Sequence, residues 1–161
     1  MSTSKYTIVT GPIEEGRARI GESTKPRTGI EVSEALIKLT CGTVRDGNPR
    51  YWQDGESPPG MLYTWLQDYP WAPNHTRARV LATQIPLPGG SVANAGQKVE
   101  FHDTVRVGDR LSVTETLVSI SDEKKTPLGV GHFVVTRADI SRVDGSAIAT
   151  VTNTLFRYNQ A

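Results

Sequence analysis

After Gly89 and Gly90 the sequence changes character, and this change constrains the fold more than any other feature. Four segments follow in which Val, Thr, Ile, Leu and Phe often alternate with polar residues. They are residues 91–104, 110–120, 129–140 and 146–158. Alternation of this kind is typical of strands that bury one face, and turn-forming residues separate the four segments. Helical patterns precede them, so the order predicts an α+β fold in which one helix lies against a strongly bent antiparallel sheet.

Two segments before Gly89 have helical patterns. In residues 31–46, Ser33 is a candidate N-cap, and Gly47 and Pro49 end the helix. Its predicted buried stripe is Val32, Leu36, Leu39 and Thr43. A second, short helix is predicted at 61–69, entered through Pro58-Pro59-Gly60 and ended by Pro70.

The chain of 161 residues has the length of one ordinary domain. Residues 1–29 are polar and rich in glycine and proline, which predicts an N-terminal arm with one short strand. Residues 30–161 are expected to form a single domain.

Charge and composition exclude several classes of function. Lys and Arg number 18 and Asp and Glu 17, so no field points to nucleic acid or to an anionic membrane. No apolar run approaches the roughly 20 residues that span a bilayer. The N-terminus has no apolar signal core, so a cytoplasmic protein is expected.

Cysteine and histidine give no pattern for metal binding. Cys41 is the single cysteine, so it has no partner for a disulfide within the chain. His75, His102 and His132 lack ligand spacing and are expected on the surface or on strand faces. We predict no metal and no other cofactor.

The segment Asp46-Gly47-Asn48-Pro49 is a candidate catalytic loop. A carboxylate at the end of a helix lies at the negative end of the helix dipole, which favours a base over a spectator anion. Asn48 could hold a carbonyl group or an attacking water, and Pro49 stiffens the loop. The alternative is that these residues form only a helix stop and a turn.

A second candidate is the segment Pro58-Pro59-Gly60-Met61-Leu62. Glycine lets another group approach the backbone closely, and the first turn of the following helix leaves N–H donors unpaired. Such donors can stabilise a carbonyl oxygen that becomes an oxyanion. The alternative is an ordinary helix start after a proline turn.

The order of these motifs resembles the MaoC-like (R)-specific enoyl-CoA hydratase and dehydratase family over about residues 30–158. The most specific parts are Asp46 to Pro49, Pro59 to Leu62, and Phe101 to Asp109. The resemblance implies the hot-dog fold, a long central helix wrapped by a bent antiparallel β-sheet. It also implies a homodimer, or a heterodimer with another hot-dog subunit, and an acyl-CoA or acyl-carrier-protein thioester as substrate.

The resemblance also implies roles for individual residues. Asp46 corresponds to the base that activates water, Asn48 to a loop-positioning residue, and Gly60 to the N–H donor for the thioester oxygen. Pro59, Met61 and Trp52 are expected beside the substrate. The further aromatic residues Trp65, Tyr69 and Trp71 either line a pocket or belong to the core or a dimer interface.

At one position the sequence departs from this family. Two residues after the proline the family has a histidine that exchanges the α-proton, and here that position is Tyr51. A phenol ordinarily titrates near pH 10 and an imidazole near about 6.5, so tyrosine is the poorer proton-transfer group at neutral pH. Asn-Pro-x-Tyr-Trp resembles instead the N-terminal halves of two-hot-dog dehydratases and the non-catalytic subunits of their two-chain relatives.

Three functions are compatible with these residues. The first is a subunit of an enoyl-thioester hydratase or dehydratase, active alone with Asp46 and Tyr51 or paired with a hot dog that carries the full Asp/His set. The second is a non-catalytic module that binds an acyl thioester, and the third is a hot-dog thioesterase.

Overall fold

The computed structural model describes residues 8–67 and 80–160. The helical elements are α1 (Ile13–Arg17), α2 (Glu34–Val44), α3 (Pro49–Trp52), a 3₁₀ turn (Pro59–Met61), α4 (Leu62–Trp65) and α5 (Leu81–Gln84). The strands are β1 (Arg27–Glu31), β2 (Ser91–Phe101), β3 (Arg110–Ile120), β4 (Lys124–Thr126), β5 (Gly129–Arg142) and β6 (Ala147–Asn159). Of the second predicted helix, 61–69, residues 62–65 are α-helical, and residues 68 and 69 lie outside the described part of the chain.

The strands form one antiparallel sheet in the order β1-β3-β5-β6-β2, with β4 paired to β5. The four long strands confirm the α+β prediction and lie within a few residues of the predicted segments. One detail was wrong: the segment from Ser121 to Gly129, predicted as turn alone, contains β4, whose Lys124 pairs with Gly131. Backbone pairing with β5 outweighs the low strand propensity of two lysines.

Helix α2 packs one narrow face on this sheet. Ser33 is its N-cap as predicted, and its side chain accepts a hydrogen bond from the Leu36 N–H at 3.4 Å. The buried helical residues are Ile37 and Cys41, spaced one turn apart, whereas Leu39 is 68% exposed. The predicted stripe was therefore wrong at Leu39 and at Thr43, which is also exposed, because the docking direction of the helix, which its own sequence does not specify, selects the buried face.

The sheet buries two separate apolar clusters. The larger one joins Ile37 and Cys41 of α2 and Trp65 of α4 to strand residues that include Val113 and Val151. The smaller one lies under α5 and includes Leu81 and Leu117. Burial of these two clusters supplies the main driving force for the fold.

The described residues of the predicted arm lie against the sheet. The Gly21 N–H donates to the Leu117 carbonyl at 2.8 Å, and the Thr24 N–H donates to the Glu115 carbonyl at 2.8 Å. Strand β1, which runs across position 30, pairs with β3. The division of the chain at residue 30 stays a prediction.

The end of α2 suggests a stabilising substitution. Arg45 caps the helix in the left-handed region, with φ 58° and ψ 38°, a conformation that glycine adopts with less strain. Helix α2 therefore ends at Val44, before the predicted stop at Gly47 and Pro49. We expect Arg45→Gly to raise the free energy of unfolding by about 0.5–1 kcal/mol, measured by urea denaturation.

The matched control for Arg45→Gly is Thr43→Gly, two residues earlier on the exposed surface of the same helix. Glycine there is expected to lower stability by a few tenths of a kcal/mol, because it weakens a helix interior. A loss of stability in both variants would contradict the strain at Arg45.

Candidate active site

The candidate catalytic loop begins where α2 ends. The Asp46 N–H donates to the Cys41 carbonyl at 2.8 Å, which continues the helix cap. The half-buried Asp46 carboxylate accepts a hydrogen bond from the Asn48 N–H through Oδ1 at 3.0 Å. Among the described residues no donor contacts Oδ2. The loop thus orients the carboxylate and leaves one of its oxygens available.

Asn48 and Pro49 start the next helix. The Asn48 side chain accepts a hydrogen bond from the Arg50 N–H at 3.1 Å, and Pro49 is the first residue of α3. From the end of α3 the Trp52 indole N–H returns to donate to the Asp46 carbonyl at 2.7 Å. The loop is therefore a turn stabilised by several hydrogen bonds, and these bonds also hold Asp46 in a fixed position. The roles assigned to Asp46 and Asn48 stay predictions.

The Pro-Gly-Met-Leu segment forms a 3₁₀ turn followed by α4. Gly60 is exposed, and no described residue accepts a hydrogen bond from its N–H. Met61 is only 4% exposed and belongs to the larger apolar cluster. Gly60 therefore has the free donor that an oxyanion site requires, while Met61 contacts the core.

A cavity of about 350 Å³ lies between α3, the 3₁₀ turn and the chain that leaves β2. Its lining residues are Arg50, Tyr51, Glu56, Ser57, Pro58, Pro59, Leu62, Phe101, His102, Asp103, Thr104 and Val105. Tyr51 is half-buried and also packs against the larger apolar cluster. The lining thus combines charged and polar side chains with apolar ones, and the apolar ones are Pro58, Pro59, Leu62, Phe101 and Val105.

Two of the seven predicted site residues, Tyr51 and Pro59, line this cavity. The other five, Asp46, Asn48, Trp52, Gly60 and Met61, are not among its lining residues. Trp65 is fully buried and donates from its indole N–H to Ser57 Oγ at 2.8 Å, so this aromatic residue belongs to the core. Tyr69 and Trp71 lie outside the described residues.

Sequence reasoning missed Glu56, the buried carboxylate in the cavity wall. Glu56 is 7% exposed and forms ion pairs with Arg50 at 2.5 Å and Arg106 at 3.2 Å. Its backbone N–H donates to the Arg50 carbonyl at 3.1 Å, and Glu56 forms an isolated bridge with Arg106. Because residue 106 is far away in sequence, no local pattern signals this burial. The pairing holds α3 against the segment that follows β2.

The cavity also contains an imidazole that the sequence did not place there. His102 follows the last residue of β2, and its Nε2 lies 3.0 Å from Thr150 Oγ1. His132, by contrast, is buried in β5 with Nδ1 3.0 Å from the Ser121 carbonyl oxygen. His75 lies outside the described residues.

Arg142 holds the segment 103–109, which forms part of the cavity wall. Its guanidinium donates to Asp109 at 3.0 Å, to Asp103 at 2.7 Å and to the Thr104 carbonyl at 2.7 Å. Hydrogen bonds from Arg142 and from the Thr104 N–H lower the pKa of the Asp103 carboxyl. Asp109, the last residue of the segment from Phe101 to Asp109, therefore helps to position this loop through Arg142.

The described residues contain neither a metal-binding cluster nor a membrane-spanning helix. Within 8–67 and 80–160, no group of three or more His, Cys, Asp and Glu side chains is arranged to hold a metal ion. In the same residues no helix has the length and apolar character needed to cross a membrane.

Comparison with known proteins gives consistent results. Residues 18–151 match the family described as FAS1-like, dehydratase domain region. A protein of Thermomonospora curvata named probable enoyl-CoA hydratase alpha subunit is 29% identical over 151 residues, which cover 83% of this chain and 47% of that protein. The chain thus spans about half the length of this curated relative.

Two solved structures have a similar fold. One is a chain of the ChsH1-ChsH2 complex from Mycobacterium tuberculosis, with a TM-score of 0.73, 20% identity and 92% of each chain covered. The other is the R-hydratase PhaJ1 from Pseudomonas aeruginosa, with a TM-score of 0.53, 18% identity, and 88% of this chain and 83% of that chain covered. These similarities confirm the hot-dog fold. The family match covers most of the sequence, and so this chain belongs to the family described as FAS1-like, dehydratase domain region.

Proposed function

We propose that this chain is a subunit of an enoyl-thioester hydratase or 3-hydroxyacyl-thioester dehydratase that works beside a second hot-dog chain carrying the full Asp/His set. Its substrate would be an acyl-CoA or an acyl-carrier-protein thioester. The names of its relatives support this class of reaction, because they include an enoyl-CoA hydratase alpha subunit and an R-hydratase.

One observation carries the proposal: Tyr51, at the position of the family's histidine, lines the cavity. In hydration, a base removes a proton from water, the oxygen adds to the β-carbon, and an acid delivers a proton to the α-carbon. The oriented Asp46 carboxylate is suited to the first step, and the free Gly60 N–H to the oxyanion that forms between the two steps. The loop lacks the imidazole that the family uses for the last step, because position 51 is a tyrosine.

Strand β2 supports a second hot-dog chain as the partner. β2 pairs with β6 on one side, and no described strand pairs with its other edge. Its side chains are mostly exposed, and they include Val92, Val99 and Phe101. A long, unpaired strand edge with apolar side chains can pair with a strand of another chain. A partner chain at this edge would border the cavity at Phe101. The similar structure from Mycobacterium tuberculosis is named as a ChsH1-ChsH2 complex, which supports a partner chain for this protein.

The second candidate function is a non-catalytic module that binds the thioester for its partner. The missing histidine at position 51 favours it, and so does the distribution of the predicted residues, of which five do not line the cavity.

A rate measurement distinguishes the two candidate functions. The purified chain is mixed with crotonyl-CoA and longer enoyl-CoAs, alone and with a hot-dog protein encoded beside it, and the loss of enoyl absorbance is followed. We expect slow turnover alone and fast turnover in the mixture. Asp46→Asn in this chain should lower the rate of the mixture if Asp46 takes part, and leave it unchanged if the chain only binds.

Two results would contradict the paired hydratase. Fast turnover by the chain alone, lost in Asp46→Asn, would make it a self-sufficient enzyme. Release of free thiol without hydration would make it a thioesterase. Asp54→Asn is the matched control, because Asp54 is an exposed carboxylate outside the lining of the cavity.

A further inference from the structure

Polar residues cross the helix-facing side of the sheet between its two apolar clusters. We call Gln97, Glu115, Thr136 and Asn153 the polar row. Gln97 of β2 is opposite Asn153 of β6, and Asn153 is opposite Thr136 of β5, so these three share one face. Glu115 lies on the same face of β3, two residues from Val113 of the larger cluster and two from Leu117 of the smaller one.

Tyr63 of α4 lies over this row. Its hydroxyl oxygen accepts a hydrogen bond from Gln97 Nε2 at 3.0 Å. Burial and the nearby charge of Glu115 raise the pKa of Tyr63. The phenol therefore keeps its proton, and no described residue accepts a hydrogen bond from it. The Tyr63 O–H is thus a hydrogen-bond donor without an acceptor among the described residues.

Asn153 supplies an unused acceptor. Its Oδ1 atom is buried and has no hydrogen-bond partner, and it is the one buried side-chain atom of this kind in the described chain. A buried acceptor without a partner costs free energy, so native proteins retain few of them. The one carboxylate of the row already has a partner, since Glu115 Oε2 accepts a hydrogen bond from the Leu81 N–H at 3.2 Å. The unfavourable free energy of the unpaired Asn153 Oδ1 points to a bound group that donates a hydrogen bond to this atom.

An apolar path leads from the cavity to the row. Phe101, Val99 and Gln97 are alternate residues of β2 and so share a face. Phe101 lines the cavity, and Phe101 and Val99 are 45% and 36% exposed. The four residue-to-residue steps from 101 to 97 span roughly 13 Å along the strand. A chain molecule that starts in the cavity would thus cross apolar surface before it meets polar side chains.

We propose that the polar row binds a hydroxyl group carried by the acyl chain of the substrate, remote from the thioester. A hydroxyl is both acceptor and donor, so it can accept from the Tyr63 O–H and donate to Asn153 Oδ1. A carbonyl would satisfy Tyr63 alone, and a methyl group would satisfy neither residue. This proposal rests on the proposed function, because it requires a thioester in the cavity.

The test is calorimetric titration of the full chain with matched ligands. Decanoyl-CoA is compared with 10-hydroxydecanoyl-CoA, dodecanoyl-CoA with 12-hydroxydodecanoyl-CoA, and free CoA is titrated as the reference. We expect one of the hydroxylated chains to bind about tenfold more tightly than its unsubstituted partner, the factor that one good hydrogen bond supplies.

Two variants should remove this preference without weakening binding of the unsubstituted chains. Tyr63→Phe deletes one hydroxyl from a side chain that is 41% exposed, so the variant should fold normally. Asn153→Leu should unfold at a temperature equal to or above that of the native chain, because it deletes an unpaired buried acceptor. Thr154→Val is the control, since Thr154 follows Asn153 on the opposite face of β6 and should keep the preference.

The outcomes separate the two proposals. Equal binding of hydroxylated and unsubstituted chains by the native protein would overturn the role of the polar row and leave the proposed function standing. No binding of any acyl-CoA or of the matching acyl-carrier-protein thioesters would overturn the proposed function itself. If Asn153→Leu weakens the binding of free CoA, the donor belongs to the pantetheine arm, and the acyl assignment is wrong.

Discussion

Tyr51→His is expected to give the isolated chain an enoyl-CoA hydratase activity at least about 100-fold above that of the native chain. The reason is chemical: Tyr51 lines the cavity, and an imidazole there exchanges a proton near neutral pH where a phenol does not. A well-placed acid–base group contributes roughly 10²–10⁴ to a rate, so even partial success should be visible. The measurement is the loss of enoyl absorbance with crotonyl-CoA and longer enoyl-CoAs.

Two variants control this experiment. Tyr51→Phe has no proton to exchange and should be as slow as the native chain. Tyr51→His combined with Asp46→Asn should lose the gained activity, because the base that activates water is then missing. Tyr51 is only partly buried against the larger apolar cluster, so histidine should be accepted. A folded Tyr51→His variant that binds acyl-CoA and gains no activity would show that another feature, such as a missing partner chain, limits the reaction.

Arg157→Met is expected to lower the free energy of unfolding by about 3–5 kcal/mol. Arg157 lies in β6 with none of its surface exposed, and burial lowers the pKa of its guanidinium. Its nitrogens donate to four backbone carbonyls and, in the described chain, to no carboxylate; the acceptors are those of Val9, Ala82, Ile85 and Gly89. Methionine would fill much of the volume and leave these oxygens without donors, and the roughly 1–3 kcal/mol that each such oxygen costs is partly offset because the buried charge is also removed.

The control for Arg157→Met is Arg137→Met. Arg137 lies in β5, its side chain is about half exposed, and it pairs with Asp139 at 2.9 Å. An exposed ion pair of this kind contributes up to roughly 1 kcal/mol, so the variant should remain near native stability. Urea denaturation of both variants gives the comparison. Similar stabilities would show that the carbonyls around residue 157 find other donors, such as water.

The local sequence was sufficient for the features that depend on neighbouring residues. Alternation of apolar and polar residues predicted the four long strands, and Ser33 predicted the start of α2. Asn48 and Pro49 made a capped turn recognisable, and the order of motifs indicated the hot-dog fold. Each of these properties depends on backbone preference or on hydrogen bonds between residues a few positions apart.

Leu39 and Glu56 show where such reasoning stops. The spacing of Leu39 fits a buried helical stripe, yet the docking of α2 leaves it 68% exposed and buries Ile37 and Cys41 instead. Glutamate is a residue type usually found on the surface. Glu56 is nevertheless buried, because it pairs with Arg106, which lies far along the chain. Both outcomes depend on contacts between distant segments, for which a single sequence gives no local signal.

The sequence by itself determined the order of helices and long strands along the chain, the capped helix, the Asp-Gly-Asn-Pro loop and the absence of histidine at position 51. Only the tertiary structure decided that Tyr51 shares a cavity with Glu56 and His102. It alone decided that Asn153 Oδ1 is buried without a hydrogen-bond partner between residues of the two neighbouring strands. The physical reason is the same for both: local propensity is set by adjacent residues, whereas burial and hydrogen-bond pairing are set by which strands and helices pack together.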